Sequence, residues 1–433
     1  MAKKSNPRRA VIVGGARTPF VRAFAEYIQM DAIDLGVAAV KGLLERHPLP
    51  WEEVDAIVWG GVILPSVAPN VGREIALDIG LPHHVEARTV TRACASGLQA
   101  ITDAVAAIER GDADVVIAGG ADSTSNAELK MPQSFVRKVA PVAMSRKSGP
   151  MDYVKLLGKL SVRKDLLPQQ PEIAERSTGE VMGHAADTMS ERNGVTREDQ
   201  DEFAVASHHR AAAAVASGRF DDELIHVTTP DGKDVYADTI VRGDTSVDKI
   251  QKLRPAFRKG GTVTAANASA LTDGAAAVLI MSEEKAKALG FKPLAAFKSW
   301  AYVGVDPADQ LLMGPALAMP KALKKAGLEL GDIDVIDMHE AFAGQVLSVV
   351  RMLESDAFAE ARLGRDKAVG QVDMDKLNVH GGSVALGHPF GATGARMVLT
   401  MANELANTDK KTALLGICAA GGLGAGAVME AID

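Results

Sequence analysis

The chemistry available to this chain starts with its sulfur and imidazole groups. In TRACASGLQ, residues 91–99, Cys94 stands among small residues just ahead of an apolar-periodic segment. The only other cysteine in 433 residues is Cys418, in ICAAGG. A free cysteine packs as a small hydrophobe unless its surroundings make use of the sulfur. Histidines stand in HEAFAG (339–344) and twice in HGGSVALGHPFGATGAR (380–396), as His339, His380 and His388. Thiols are nucleophiles and imidazoles carry protons near neutral pH, so these types can do covalent catalysis if the fold gathers them. Singly, each has a structural use: Cys418 as packing, His380 as a turn cap.

The elements around them decide whether they meet. VVIAGG (115–120) and ALLGI (413–417) read as buried strands, being short apolar runs that end in small residues. Leu98, Ile101, Val105 and Ile108 recur at helical spacing and draw one apolar face between Cys94 and the first of these strands. Strand, helix and strand alternate, as in an α/β fold. The chain also repeats itself. LLERHPLPWEEVDAIVWGG aligns with ALKKAGLELGDIDVIDMHE, pairing Asp55 with Asp334 and Gly60 with His339 at one common offset. The segment from Cys94 through VVIAGG parallels that from GHPFGATGAR through ALLGICAAGG, so one βα unit is used twice. In the second half the last strand turns at once through a glycine hairpin into AVMEAI. In the first, its counterpart GAAAVLIMSE (274–283) is displaced by a long insertion. The predicted domains are therefore 1–123, completed by 272–293; an inserted loop domain, 124–271; and 294–433. Cys94, His339, His388 and Cys418 then fall at equivalent strand ends, where α/β sheets gather ligands and catalytic groups.

Composition excludes several function classes. At 47% apolar and 24% charged residues, with a net charge of -7 spread along the chain, this is an ordinary globular protein without the basic patch of a nucleic-acid binder. No apolar run approaches about 18 residues and no apolar core follows MAKKSNPRR, so neither a membrane span nor a signal peptide is expected. Two distant cysteines without CxxC fit a reducing, cytoplasmic setting and argue against a zinc site or disulfide framework.

The ordered motifs VGGARTPF, RACASGLQA, VMGHAAD, LRPAF, GTVTAANASALTDGAA, HEAFAG, LGHPFGATGAR and CAAGGLGAG run almost from end to end. With them the sequence resembles the thiolases, the acyl-CoA C-acyltransferases. HEAF, DPADQLLMGP and VMGHAAD make it most similar to the β subunits of fatty-acid oxidation complexes. The resemblance implies a thiolase fold: duplicated βαβαβ halves in a layered α-β-α-β-α core with an inserted loop domain. It implies cleavage of 3-ketoacyl-CoA by CoA, or the reverse condensation, with coenzyme A as co-substrate and no permanently bound cofactor or metal. Assembly as a homodimer or homotetramer follows from the same likeness, as does a hydratase/dehydrogenase α subunit as partner.

Residue by residue, the resemblance makes Cys94 the acylated nucleophile, favoured as thiolate by its place at a helix N-terminus. His388 becomes its base and Cys418 the second acid/base. One oxyanion site comes from His388 with a water held at position 339, another from the backbone N–H groups of Cys94 and Ala420. Position 339 is histidine where many relatives have asparagine, leaving open whether it donates directly, holds the water or titrates. Ala420 replaces a common glycine, which matters only if φ is positive. Ser269 matches a pantetheine contact, and Met182 and Phe342 match acyl-pocket positions, core packing being the other reading for Met182. Arg137, Lys138, Arg146 and Lys147 either meet nucleotide phosphates or form a solvated face. In MDYVKLLGKLSVRKD, Val154, Leu156, Leu157 and Leu160 suggest an amphipathic stretch, open as a partner dock, a membrane contact or a cover helix. A decarboxylating ketoacyl synthase would not need Cys418. A short-chain acetyl-CoA acetyltransferase and a non-catalytic scaffold are the remaining alternatives.

Overall fold

The structure is a computed structural model and describes residues 8–168 and 174–432. Its first half runs β1 (Ala10–Arg17), β2 (Val21–Arg22), α1 (Ala32–Arg46), β3 (Ala56–Gly60), α2 (Val71–Ile79), β4 (Glu86–Val90), α3 (Ser96–Arg110) and β5 (Val115–Asp122). The long connection carries α4 (Gln133–Ala143), α5 (Pro150–Leu157), α6 (Met182–Arg192), α7 (Arg197–Ala216), the ribbon β6 (Val227–Thr228) and β7 (Asp234–Val235), and α8 (Val247–Ile250). The chain returns through β8 (Thr272–Ser282) and α9 (Glu283–Ala288). The second half is β9 (Ala295–Gly304), α10 (Gly314–Ala326), β10 (Val335–Met338), α11 (Ala343–Leu353), α12 (Asp356–Phe358), α13 (Ser383–Leu386), α14 (Phe390–Asn407), β11 (Thr412–Ala419) and β12 (Leu423–Ala431).

Sheet topology states the repeat directly. The first half orders its strands β1-β8-β5-β3-β4 and the second β9-β12-β11-β10, joined edge to edge where Ile12 of β1 pairs with Ala295 of β9. In each half the strand after the helix pairs antiparallel with its return, β5 with β8 and β11 with β12. It also runs parallel to an inner strand, β3 or β10. The partner that β4 gives β3 survives in the second half as a single parallel bridge between Ile336 and Leu377. Even the acidic residues correspond. Asp55 Oδ2 accepts from the amides of Asp114 and Val115 at 2.6 and 2.9 Å, and Asp334 Oδ2 from those of Lys411 and Thr412 at 2.8 and 3.0 Å. Each carboxylate satisfies amides at the start of the neighbouring strand.

Within the span 124–271, residues 174–271 pack with the two halves into one compact unit, and Ala127–Ile173 form a second. In that second unit Lys138 is tied to the Lys159 carbonyl at 3.0 Å and to the Asp165 carboxylate at 2.8 Å, while Arg137, Arg146 and Lys147 are exposed. Helix α5 ends at Gly158, so Leu160 lies beyond it; Leu156 is buried, whereas Val154 and Leu157 face solvent. The amphipathic face is thus shorter than the sequence pattern suggests.

Strand side chains alternate between faces, and here the alternation separates layers. Val116, Ala118, Ala413, Leu415 and Ile417 share one apolar cluster with α3 and α14, sandwiched between the halves. Val115 and Ile117 face α1 and α2, and Ile336, Met338 and Leu414 face α10 and α11. This is the α-β-α-β-α layering. Leu98, Ile101, Val105 and Ile108 of α3 are all fully buried in the central layer, roughly 1.5–3 kcal/mol each. There α3 and α14 approach with backbone in contact. A Cβ on Gly97 would lie 2.5 Å from the Gly391 carbonyl oxygen, and one on Gly394 2.5 Å from the Leu98 nitrogen. Neither neighbour is a flexible side-chain end that could move aside.

Gly394→Ala is expected to destabilise the protein by ~1–3 kcal/mol through overpacking. Gly331→Ala, where a Cβ meets nothing within 4 Å, serves as the neutral control. Thermal unfolding midpoints measured side by side check both.

Candidate active site

Cys94 sits at the mouth of α3 on a strained turn. Ala93 takes φ 45°, a left-handed conformation that costs a non-glycine residue roughly 1–2 kcal/mol. Ser96 holds the turn, its Oγ accepting from the Arg92 amide at 2.7 Å and donating to the Ala93 carbonyl at 2.6 Å. The corresponding turn before α14 carries His388, whose amide donates to the Ala270 carbonyl at 3.3 Å. Because the two helices touch, their N-terminal segments meet: His388 Nε2 lies 3.2 Å from Cys94 Sγ. The other ring nitrogen, Nδ1, is 2.7 Å from the Thr393 hydroxyl, one turn into α14. With Nδ1–H donating to Thr393, Nε2 presents its lone pair to the thiol proton.

His339 follows β10, its amide bonded to the Gly416 carbonyl at 2.8 Å. Its Nδ1 lies 2.9 Å from Ser383 Oγ, and its buried Nε2 has no hydrogen-bond partner among the described residues. The His339 and His388 rings stand 4.1 Å apart, and the donor atoms of Cys94, His339 and His388 lie within 4.8 Å of one another. Next to it, the buried Glu340 carboxylate accepts from Asn378 Nδ2, Ser207 Oγ and the Val384 amide at 2.7–3.0 Å. The bond to Val384 fixes the start of α13, where Ser383 lies. Cys418, near the end of β11, is buried in the same apolar cluster as Phe342, against which Met182 packs. Ser269 is half-buried in a segment that pairs with the HEAF loop, its amide bonded to the Ala341 carbonyl at 3.0 Å. His380 lies apart, paired with Glu404 at 2.7 Å.

Electrostatics correct one expectation. Proximity to the α3 N-terminus does not make Cys94 a thiolate. Burial pushes its thiol up to about 12, and the amides of Ala420 and of Cys94 itself, which favour the anion, offset only part of that. Burial, then the charge of Arg396, holds His388 down to about 3. Burial also holds His339 well below the usual imidazole range, helped by the charges of His388 and Arg396. The Cys418 thiol is raised well above the ordinary range, by burial first and then by Cys94. At neutral pH the site is therefore two thiols and two neutral imidazoles, and the Cys94 proton moves only as attack proceeds. The amides of Ala420 and Cys94 both address the Cys94 sulfur. Gly421 and Gly422 take the positive φ values of the β11–β12 turn and Ala420 does not, so alanine is free of strain there.

Several positioning residues escape a reading of the sequence. Thr393 and Ser383 both lie in HGGSVALGHPFGATGAR, which is a signal, whereas Asn378 precedes that motif and has none. Asp122, at the end of β5, accepts from the amides of Ile63 and Gly391 at 2.6 Å each and so ties the first turn of α14 to the β3 loop. Burial raises its carboxyl to about 6.

Comparison with known proteins adds an independent line. Residues 10–284 match the profile of the thiolase N-terminal domain and residues 291–431 that of the thiolase C-terminal domain. The chain is 45% identical over 424 residues to the 3-ketoacyl-CoA thiolase of Yersinia pestis (strain Pestoides F), covering 98% of this chain and 97% of the relative. The human mitochondrial 3-ketoacyl-CoA thiolase in complex with CoA superposes with a TM-score of 0.83 at 31% identity, covering 98% of both chains. The Bacillus anthracis acetyl-CoA acetyltransferase gives a TM-score of 0.82 at 32% identity, covering 98% of this chain and 99% of its own.

With the thiol at about 12, alkylation of Cys94 by iodoacetamide should accelerate about tenfold per pH unit from pH 6 to 9. Peptide mapping over that range checks it, and a plateau by pH 7 would mean a preformed thiolate.

Proposed function

The chain belongs to the thiolase family and is an acyltransferase, and we propose how its residues divide the reaction: cleavage of 3-ketoacyl-CoA with CoA to acetyl-CoA and a shortened acyl-CoA, or the reverse Claisen condensation. The observation that carries this is the 3.2 Å contact of Cys94 Sγ with His388 Nε2, a nucleophile already within reach of its base. Cys94 attacks the 3-keto carbon as its proton passes to His388, giving a tetrahedral alkoxide and an imidazolium. The alkoxide re-forms its carbonyl, the C2–C3 bond breaks toward C2, and Cys418 delivers its proton to that carbon, releasing acetyl-CoA and leaving acyl-Cys94. The Cys418 thiolate then takes the proton of incoming CoA, whose sulfur attacks the thioester. As the shortened acyl-CoA leaves, the imidazolium returns its proton to Cys94.

Two oxyanions arise, and each has a preorganised answer. The amides of Cys94 and Ala420 form one; their common orientation toward the sulfur supports it. His388 and His339 form the other, with the unpartnered His339 Nε2 donating directly or through a water. Met182 and Phe342 line the acyl pocket, supported by their place in the apolar cluster that also holds Cys418, and Ser269 contacts the pantetheine arm. The insertion 124–271 serves as the CoA- and substrate-binding loop domain, set into the β5–β8 hairpin between the half 1–123 with 272–293 and the half 294–433. Coenzyme A is co-substrate, and the scheme requires no permanently bound cofactor.

The pathway is fatty-acid β-oxidation in the cytoplasm. The identity to named 3-ketoacyl-CoA thiolases supports the pathway, and among the described residues no helix is long and apolar enough to cross a membrane. The structural likeness to an acetyl-CoA acetyltransferase favours a second reading, a short-chain enzyme acting on acetoacetyl-CoA. A homodimer or homotetramer is the expected assembly. A hydratase/dehydrogenase α subunit is the proposed partner, supported by the exposed apolar Met151, Val154 and Leu157 on α5.

Purified protein should turn over 3-ketoacyl-CoA repeatedly only with CoA present, a single acetyl-CoA per site being released without it. Cys94→Ser and Cys418→Ser should each lose at least about a hundredfold in kcat. The rate ratio between a long-chain substrate and acetoacetyl-CoA decides between the two readings. Deleting residues 151–165 should weaken co-purification with the α subunit; unchanged co-purification removes that stretch as the dock.

A further inference from the structure

The groups that make the site reactive also form a ligand set. Cys94 Sγ and one ring nitrogen each of His339 and His388 lie within 4.8 Å of one another, and Cys94 Sγ is already 3.2 Å from His388 Nε2. Ligands at tetrahedral angles around zinc sit about 3.3–3.6 Å apart, given its usual bond lengths. The far nitrogen of each imidazole is held by a hydroxyl, His388 Nδ1 by Thr393 at 2.7 Å and His339 Nδ1 by Ser383 at 2.9 Å. Such outer partners fix both ring orientations and leave each Nε2 as the nitrogen free to ligate, as in metal sites where the second ring nitrogen is anchored. His339 Nε2, fully buried and without a partner, is the independent sign of a missing neighbour. Sulfur with two imidazoles suits zinc-like ions and offers nothing to the oxygen-seeking magnesium or calcium.

We propose that Cys94, His339 and His388 form a reversible site for one soft divalent cation, Zn²⁺ or an analogue, which arrests the enzyme by occupying its nucleophile and base. The ion replaces the Cys94 thiol proton: one S–H bond breaks, one sulfur–metal bond forms, and one proton leaves to buffer without any change of oxidation state. Three protein donors leave a fourth position for water or another small ligand. Binding is argued from the donor geometry and only the arrest rests on the roles proposed for Cys94 and His388, so failure to bind the ion leaves CoA-dependent cleavage untouched.

Co²⁺ titration of the purified full chain tests this. The expected result is one equivalent bound, with the intense visible bands of tetrahedral cobalt and a near-ultraviolet sulfur-to-cobalt charge-transfer band, both abolished by Zn²⁺. Cys94→Ala should lose the charge-transfer band, and so should wild-type protein capped at Cys94 by iodoacetamide, which keeps its full sequence. His339→Asn should bind at least about tenfold more weakly. Weak six-coordinate spectra, or a charge-transfer band that survives capping of Cys94, would overturn the proposal.

Discussion

Backbone contact between α3 and α14 is the constraint on which the site depends. Helices usually pack 8–10 Å apart because side chains intervene. Here Gly97 and Gly394 remove the side chains where the helices meet, and the Gly391 carbonyl and Leu98 amide occupy the space a Cβ would need. Each helix begins at a chemical residue, Cys94 on a strained turn before one and His388 just before the other. Bringing the axes together therefore brings sulfur to imidazole, and Asp122 secures the arrangement by bonding the Gly391 amide at 2.6 Å. The duplicated fold supplies this symmetry, since α3 and α14 are the same element of two copies facing each other across the central layer.

Burial then sets the chemistry. The enclosed site disfavours every charge, so both thiols stay protonated and both imidazoles neutral. A resting ion pair is thereby avoided, and charge appears only on the way to the transition state, where fixed amide and imidazole donors meet it. Nearby buried charged groups are held by hydrogen bonds. Arg396 bonds Asp337 at 2.8 Å inside the core, and Glu340 is held by three donors. These groups fix the loops on which His339 and His388 ride.

Much of this was legible from the chain. The pairing of Asp55 with Asp334 reflects a shared hydrogen-bonding role, and the displaced strand of the first half does return beside β5. Apolar periodicity located α3 and its buried face because burial leaves a direct trace in residue types. What stayed hidden depends on tertiary surroundings. No local pattern says that desolvation outweighs the helix N-terminus at Cys94, or that Lys138 is taken up by Asp165. Asn378 and Ser383, the one before α13 and the other at its start, bond partners tens of residues away. Likewise, three donors at positions 94, 339 and 388 have no metal-binding spacing, although they converge in space.

The central claim is that this convergence makes Cys94 the acyl carrier. Intact-protein mass spectrometry with peptide mapping, on enzyme rapidly mixed with a 3-ketoacyl-CoA in the absence of CoA, tests it most directly. The account predicts one shortened acyl group on the Cys94 peptide, with an equal amount of acetyl-CoA released and Cys418 unmodified. Release of acetyl-CoA without an adduct, or an acyl group found on Cys418, would contradict it.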